Sequence, residues 1–165
     1  MSSEPKKAEK RKAADNAAAS ERNEPPEATN DCPVAEFEVG TYKKLKAREE
    51  SGDNLEHDHI PSFAAIRAAK EKELGRDLTK EEAVELRNNT CAIEVSKDLH
   101  RAGPTYKGKN TPEQIEEDAA DLGAAARRDT DALLGNAIKS GRDPEEVKKA
   151  IDKLHEKNRD SGLYD

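Results

Sequence analysis

Two segments in the C-terminal half carry complete signals for the start of an α-helix. Thr111-Pro112-Glu113-Gln114 combines a capping threonine, proline at the first helical position and a glutamine that can bond back to the cap. Asp143-Pro144-Glu145-Glu146 repeats the arrangement after Gly141. Apolar residues then recur at spacings of three, four or seven, which is typical of a helix with one buried face. The sequence therefore predicts that residues 111–160 are mainly helical.

The preceding region predicts shorter elements of both kinds. Cys91, Ile93 and Val95 alternate with Ala92 and Glu94, a pattern that indicates a half-buried strand. Ser96 can cap a helix directly after this strand. The other predicted elements are a helix over 41–49, a strand over 56–60, a helix from Ser62 to Gly75 and a helix after the capping box that begins at Thr79. We therefore expect a mostly helical α+β domain, in which a helical insertion separates two strands.

Large apolar side chains are scarce, since Leu, Ile, Val and Phe together occur 24 times in 165 residues. This share is below the roughly 20% that separates folded from disordered compositions, so the core must be small. Residues 1–35 have almost no such residues and are predicted to be a disordered or linker tail. The domain is predicted to occupy 36–165, with a core at 40–110 and a helical part at 111–160. Cys32 and Cys91 are expected to be ordinary thiols, with one disulfide as the alternative.

The sequence contains no apolar run of about 18 residues and no apolar segment near its N-terminus. It therefore predicts no membrane span and no classical secretion signal. The net charge is −7, but residues 36–110 carry 14 basic and 15 acidic residues and are nearly neutral. Because nucleic-acid-binding proteins are usually basic, this composition does not favour tight binding through charge alone. The acidity of the C-terminal helices would suit a basic partner.

Three of the four histidines lie in two short segments, 56–62 and 88–100. Hydrolysis of a phosphodiester needs a base that activates water and a cation that stabilises charge at phosphorus. Asp58-His59 on one strand, a second strand, and His100 at the start of a helix have a suitable order. A carboxylate and one imidazole leave most of a metal's coordination positions open, as a catalytic site requires.

These residues resemble the HNH, or ββα-metal, endonuclease family. The resemblance covers roughly residues 40–110, and its wider pattern is similar to nuclease domains of bacterial polymorphic toxins. It implies that His59 is the general base, that Asn89 orients the base, and that Asp58 and His100 bind the metal. The matching motifs are Asp58-His59-Ile60-Pro61, Asn89 and His100-Arg101, with Gly40-x-Tyr42 before them and Thr105-Tyr106-x-Gly108 after them.

Several assignments stay open at this point. Asn88 competes with Asn89 for the orienting role, and His57 is an alternative to Asp58 as the first metal ligand. A carboxylate-containing, water-rich site favours Mg²⁺ or Mn²⁺, whereas ligation by His57 would make Zn²⁺ or Ni²⁺ competitive. The basic loop at Arg101, Lys107 and Lys109 is either a phosphate contact or an ordinary exposed loop. His155, near the end of the last helix, is expected to be structural, since a charged imidazole suits the helix dipole there.

The predicted function is metal-dependent endonucleolytic cleavage of DNA, with RNA as the other candidate substrate. The resemblance implies a bacterial toxin or effector, made in the cytoplasm, delivered into rival cells by a specialised secretion system, and paired with a cognate immunity protein. Two other functional classes stay open for this sequence. One is a noncatalytic helical adaptor, and the other is a small domain held together by a structural metal.

Overall fold

The computed structural model describes residues 33–165, which form one compact unit from Pro33 to Asp165. The predicted tail therefore lies outside the described residues except for positions 33–35. The strands are β1 (Val39–Thr41), β2 (Leu55–Asp58) and β3 (Cys91–Ser96). The helices are α1 (Tyr42–Ala47), α2 (Phe63–Leu74), α3 (Lys80–Asn89), α4 (Lys97–Ala102), α5 (Pro112–Ala120), α6 (Leu122–Lys139) and α7 (Pro144–Asp160), with a 3₁₀ turn at Lys107–Lys109.

The three strands form an antiparallel sheet in the order β1-β3-β2. In the β2–β3 ladder, Leu55 is opposite Ser96 and Asp58 is opposite Ile93. The Ser96 side chain accepts a hydrogen bond from the backbone N–H of Leu99, so α4 begins immediately where β3 ends. Helices α2 and α3 lie between β2 and β3 in sequence. The predicted mostly helical α+β fold, with its helical insertion between two strands, is confirmed.

The predicted helix starts occur where the local signals place them. Thr79 and Glu82 form a reciprocal capping box, and the Thr111 and Asp143 side chains accept hydrogen bonds from backbone N–H groups of the first turns. Gly75 ends α2 with φ of +71°, a left-handed conformation that glycine adopts at low cost. These caps satisfy backbone groups that a helix cannot pair internally.

Four features differ from the sequence prediction. The strand predicted over 56–60 is observed at Leu55–Asp58, and β3, predicted to be half-buried, has residues of both faces buried. Strand β1 was not predicted, because a three-residue strand is too short to show an alternating pattern. The helical region after Thr111 is also interrupted at Asp121, whose φ of −148° is not helical. The Asp121 side chain accepts a hydrogen bond from the Ala124 N–H, so a new helix begins there.

Strand β3 is covered on both faces. Ile93 and Val95 pack with Leu133, Val147 and Leu154 of the C-terminal helices in the main core. Ala92 packs on the opposite face with Leu45 of α1 and Val34. The helical region after residue 111 therefore shares one hydrophobic core with the strands and holds β3 in place. No helix within residues 33–165 is long and apolar enough to cross a membrane.

Candidate active site

Strand β2 presents two carboxylates to His100 on α4. Because side chains alternate along a strand, Glu56 and Asp58 lie on the same face. The Nδ1 of His100 makes a short hydrogen bond to Oε2 of Glu56, and its Nε2 lies 3.5 Å from Oδ1 of Asp58. The imidazole also meets the Tyr106 ring edge-on at a centroid distance of 5.0 Å. The carboxylates and the tyrosine thus fix the position of this ring.

The pair formed by Asp58 and His100 fits a divalent metal ion. Two atoms that each lie about 2.1 Å from an ion, at an angle between 90° and 110°, are about 3.0–3.4 Å apart. The observed separation is close to that range. Metal-binding histidines usually donate their other ring N–H to a carboxylate, and Glu56 occupies that place. Burial raises the pKa of Asp58 to about 7, with the charges of Asp129 and Glu56 adding to the effect, so a cation here would stabilise the ionised carboxylate.

The protein supplies few ligands to this position. Within residues 33–165 there is no group of three or more His, Cys, Asp or Glu side chains with the geometry to hold a metal ion. A closed structural site would use four protein ligands, whereas two leave positions for water and substrate. The geometry of the described residues therefore fits an open site.

His59 directly follows β2 and is buried between aromatic rings. Its ring stacks on Tyr42 at a centroid distance of 5.0 Å and contacts Phe63 at 5.6 Å. The Nε2–H donates to the backbone carbonyl of Arg87 at 3.2 Å, which leaves the Nδ1 lone pair available. Burial lowers the pKa of His59 to about 4, so the imidazole is neutral near pH 7. The neutral ring can accept a proton at Nδ1, but burial makes it a weaker base than a free histidine.

His57 is engaged elsewhere. Its Nδ1 donates to Oε1 of Glu94 at 2.5 Å and its Nε2 to Oε2 of Glu49 at 2.9 Å. The hydrogen bond to Glu94 makes the largest contribution to raising the pKa of His57, and Glu49 adds to it. An imidazole that donates from both nitrogens is charged and has no lone pair for a metal. Of the two first-ligand candidates, the structure places Asp58 beside His100 and encloses His57 between carboxylates.

The structure does not bring Asn89 into contact with His59. Asn88 and Asn89, at the end of α3, line a different groove together with Lys43 and Lys80. His59 donates instead to the backbone carbonyl of Arg87, in the same helix as Asn89. A backbone carbonyl carries no side-chain signal, so the sequence could not have identified it. Glu56 did have a signal, since it lies two residues before Asp58 on a strand.

A groove of about 550 Å³ joins the two faces of the site. Asp58, His59 and His100 all line it, together with Lys107. Of the predicted phosphate contacts, exposed Arg101 lies on α4, and Lys109 donates to the carbonyls of Arg101 and Gly103 at the end of that helix. Lys107 therefore lies at the groove, whereas Lys109 secures the loop.

Asn110 is a further polar residue of this groove, and the sequence interpretation missed it. Its Nδ2 donates to the Ser62 hydroxyl oxygen at 3.3 Å. Its Oδ1 is buried without a hydrogen-bond partner in the described part of the chain. An unpartnered buried carbonyl oxygen at the edge of a groove is a ready acceptor for a bound molecule.

Comparison with known proteins gives one extended similarity. Over 130 residues the chain is 55% identical to Deoxyribonuclease CdiA of Dickeya dadantii (strain 3937). The match covers 79% of this chain, which spans only about 4% of the length of that relative. No family model matches the sequence, and no solved structure matches it.

Proposed function

We propose that residues 33–165 form a metal-dependent endonuclease domain of the HNH type that hydrolyses DNA. One observation carries the proposal: Asp58 and His100 hold an open pair of metal donors, and the neutral imidazole of His59 lines the same groove. The matched relative is named as a deoxyribonuclease, which supports DNA as the substrate. RNA is the alternative substrate, and cleavage of the two nucleic acids has to be compared.

Each residue of the site has a separate role in the proposed hydrolysis. His59 accepts a proton at Nδ1 from the attacking water, while its Nε2–H stays bonded to Arg87 and fixes the ring. Asp58 and His100 hold a divalent cation, and Glu56 keeps the His100 ring in the required tautomer. Exposed Lys107 contacts a phosphate of the substrate backbone from the side of the groove.

The cation, when bound, stabilises negative charge at the scissile phosphate and the departing oxygen. One carboxylate and one imidazole favour Mg²⁺ or Mn²⁺. Zn²⁺ and Ni²⁺ would compete for the site if His57 became a third ligand. Its hydrogen bonds to Glu49 and Glu94 oppose this and therefore favour Mg²⁺ or Mn²⁺.

The biological setting is proposed from the resemblance to nuclease domains of polymorphic toxins. In this proposal the domain is part of a bacterial effector that is made in the cytoplasm and delivered into rival cells. A cognate immunity protein protects the producing cell. The acidic C-terminal segment, with 9 basic and 14 acidic residues in 111–165, supports a basic surface on that partner.

The test is cleavage of supercoiled plasmid by the purified chain in Mg²⁺ or Mn²⁺, with EDTA and with an RNA substrate in parallel. We expect nicking and linearisation that EDTA stops and that His100→Ala strongly reduces. His155→Gln is the matched control, since it changes a helical histidine that does not line the groove. Absence of cleavage with every divalent metal, or cleavage that EDTA leaves intact, would contradict the proposal.

A further inference from the structure

The side chain of Asp129 on α6 lies near the proposed metal donors, outside the groove that His59 lines. It is 4% exposed, and it lines a small cavity together with Asp58 and His100. Its charge also acts on the carboxyl of Asp58. None of the sequence motifs includes Asp129, because α6 reaches the site only through the tertiary fold.

One oxygen of Asp129 has an evident structural partner and the other has none. Oδ1 accepts a hydrogen bond from Nε of Arg128 at 2.9 Å and lies 2.8 Å from Nη2 of the same guanidinium. Oδ2 is buried without a hydrogen-bond partner within residues 33–165. Arg128 also donates two hydrogen bonds to Asp118, at 2.7 and 2.8 Å. Asp118 therefore balances the charge of Arg128 without Asp129. The ion pair with Arg128 therefore does not explain why Oδ2 is buried without a hydrogen-bond partner in the described residues.

The cavity has the size and lining of a water site. Its volume is about 20 Å³, and a single water needs at least about 10–15 Å³ by the same measure. Ile60, Leu99 and Leu133 form apolar walls. The polar lining residues include Asp58, His100 and Asp129, together with Thr105 and Tyr106. A buried water needs two or more polar partners, and these side chains supply them.

We propose that Asp129 is an outer-sphere partner of the metal site: its Oδ2 accepts a hydrogen bond from a water in this cavity that also contacts the ion. The inference rests on the proposed function, because it requires the ion at Asp58 and His100. In this proposal Asp129 acts on the ion through the water and is not a direct ligand. Partners of this kind typically change metal affinity by about 10–100-fold.

The test is calorimetric titration of Mn²⁺ into the metal-free full chain, with wild type and Asp129→Asn compared. In the variant, Arg128 requires the amide oxygen as its acceptor, so the NH₂ group faces the cavity and cannot accept from water. We expect binding about 10–100-fold weaker than in wild type. Asp129→Glu keeps the charge, but its longer side chain overfills the cavity, so we expect it to weaken Mn²⁺ binding as well. This variant replaces Asp129→Asn in the test if Asp129→Asn does not fold.

Two control variants separate the explanations. Asp131→Asn removes the same charge from an exposed position on α6, and Asp118→Asn loosens Arg128 from its other side. Both are expected to bind Mn²⁺ like wild type. Unchanged binding by Asp129→Asn, or equal weakening by Asp118→Asn, would overturn the role of Asp129 alone. Failure of wild type to bind Mn²⁺ would instead overturn the proposed function.

Discussion

The side-chain amide of Asn158, near the end of α7, donates a hydrogen bond of 2.9 Å to the backbone carbonyl of Ile60. The same amide nitrogen lies 3.1 Å from the hydroxyl oxygen of Tyr164, and Asn158 itself is 1% exposed. Ile60 directly follows His59, so the last helix holds the backbone at the active-site strand.

We expect Asn158→Ala to lower the free energy of unfolding by about 1–3 kcal/mol, because it leaves the buried carbonyl of Ile60 without a partner. Urea denaturation measures this. Asn136→Ala is the matched control, since Asn136 makes an exposed hydrogen bond of 3.4 Å to the Ala102 carbonyl. The control should stay within about 0.5 kcal/mol of wild type. Equal effects of the two substitutions would contradict the role of Asn158.

A second prediction concerns His155, which was expected to be charged near the end of the last helix. The structure shows instead a ring whose pKa is lowered, first by burial and then by Arg159. Its Nδ1 accepts from the Tyr164 hydroxyl at 2.7 Å, and its Nε2 donates to Thr130 Oγ1 at 3.1 Å, while the Thr130 hydroxyl donates to the Arg127 carbonyl. These bonds fit the neutral form.

A histidine whose folded pKa is depressed stabilises the fold fully above its unfolded value near 6.5, and this contribution is lost as the pH falls below it. We therefore expect wild-type stability to fall more steeply than that of His155→Gln between pH 6.5 and 5. Thermal unfolding of both proteins across this range measures the difference. Parallel curves would show that His155 does not titrate differently on folding.

A third prediction concerns Glu56, which is bonded to the His100 ring and which we propose orients that ring toward the metal. We expect Glu56→Ala to weaken Mn²⁺ binding by about 10–100-fold, because the imidazole loses the acceptor that fixes its tautomer. Glu56→Gln keeps an acceptor oxygen and should restore most of the affinity. Calorimetric titration distinguishes them, and a failure of the conservative variant to recover binding would argue against orientation as the role of Glu56.

A fourth prediction concerns removal of the metal. The main hydrophobic core joins β3 and the C-terminal helices with Val39, Ile60 and Leu99, and it does not include Asp58 or His100. Chelation should therefore abolish cleavage while far-UV circular dichroism keeps its helical signal. Unfolding upon addition of EDTA would favour the alternative of a structural metal site.

The sequence predicted those parts of the molecule that local chemistry determines. The caps at Thr79, Thr111 and Asp143 are side-chain interactions within one helical turn, so their helices could be predicted from the residues alone. The strand that carries Asp58 and the helix that presents His100 likewise follow from local patterns, although the strand ends before His59.

The remaining parts of the site depend on contacts between distant segments. The acceptor for His59 is the backbone of Arg87, and Asp129 reaches the metal donors only because α6 packs against the strands. The two carboxylates around His57 are 8 and 37 positions away from it in sequence. Such partners have no fixed spacing and cannot be identified without the fold.

The most direct test of the account is to measure plasmid cleavage and Mn²⁺ affinity in parallel for wild type and His59→Gln. The glutamine can still donate to the Arg87 carbonyl but cannot act as a base. We predict cleavage slower by about 10²–10⁴-fold with Mn²⁺ affinity unchanged, because proton transfer is lost while Asp58 and His100 remain. Cleavage at the wild-type rate would contradict the assignment of His59 as the general base and, with it, the proposed mechanism.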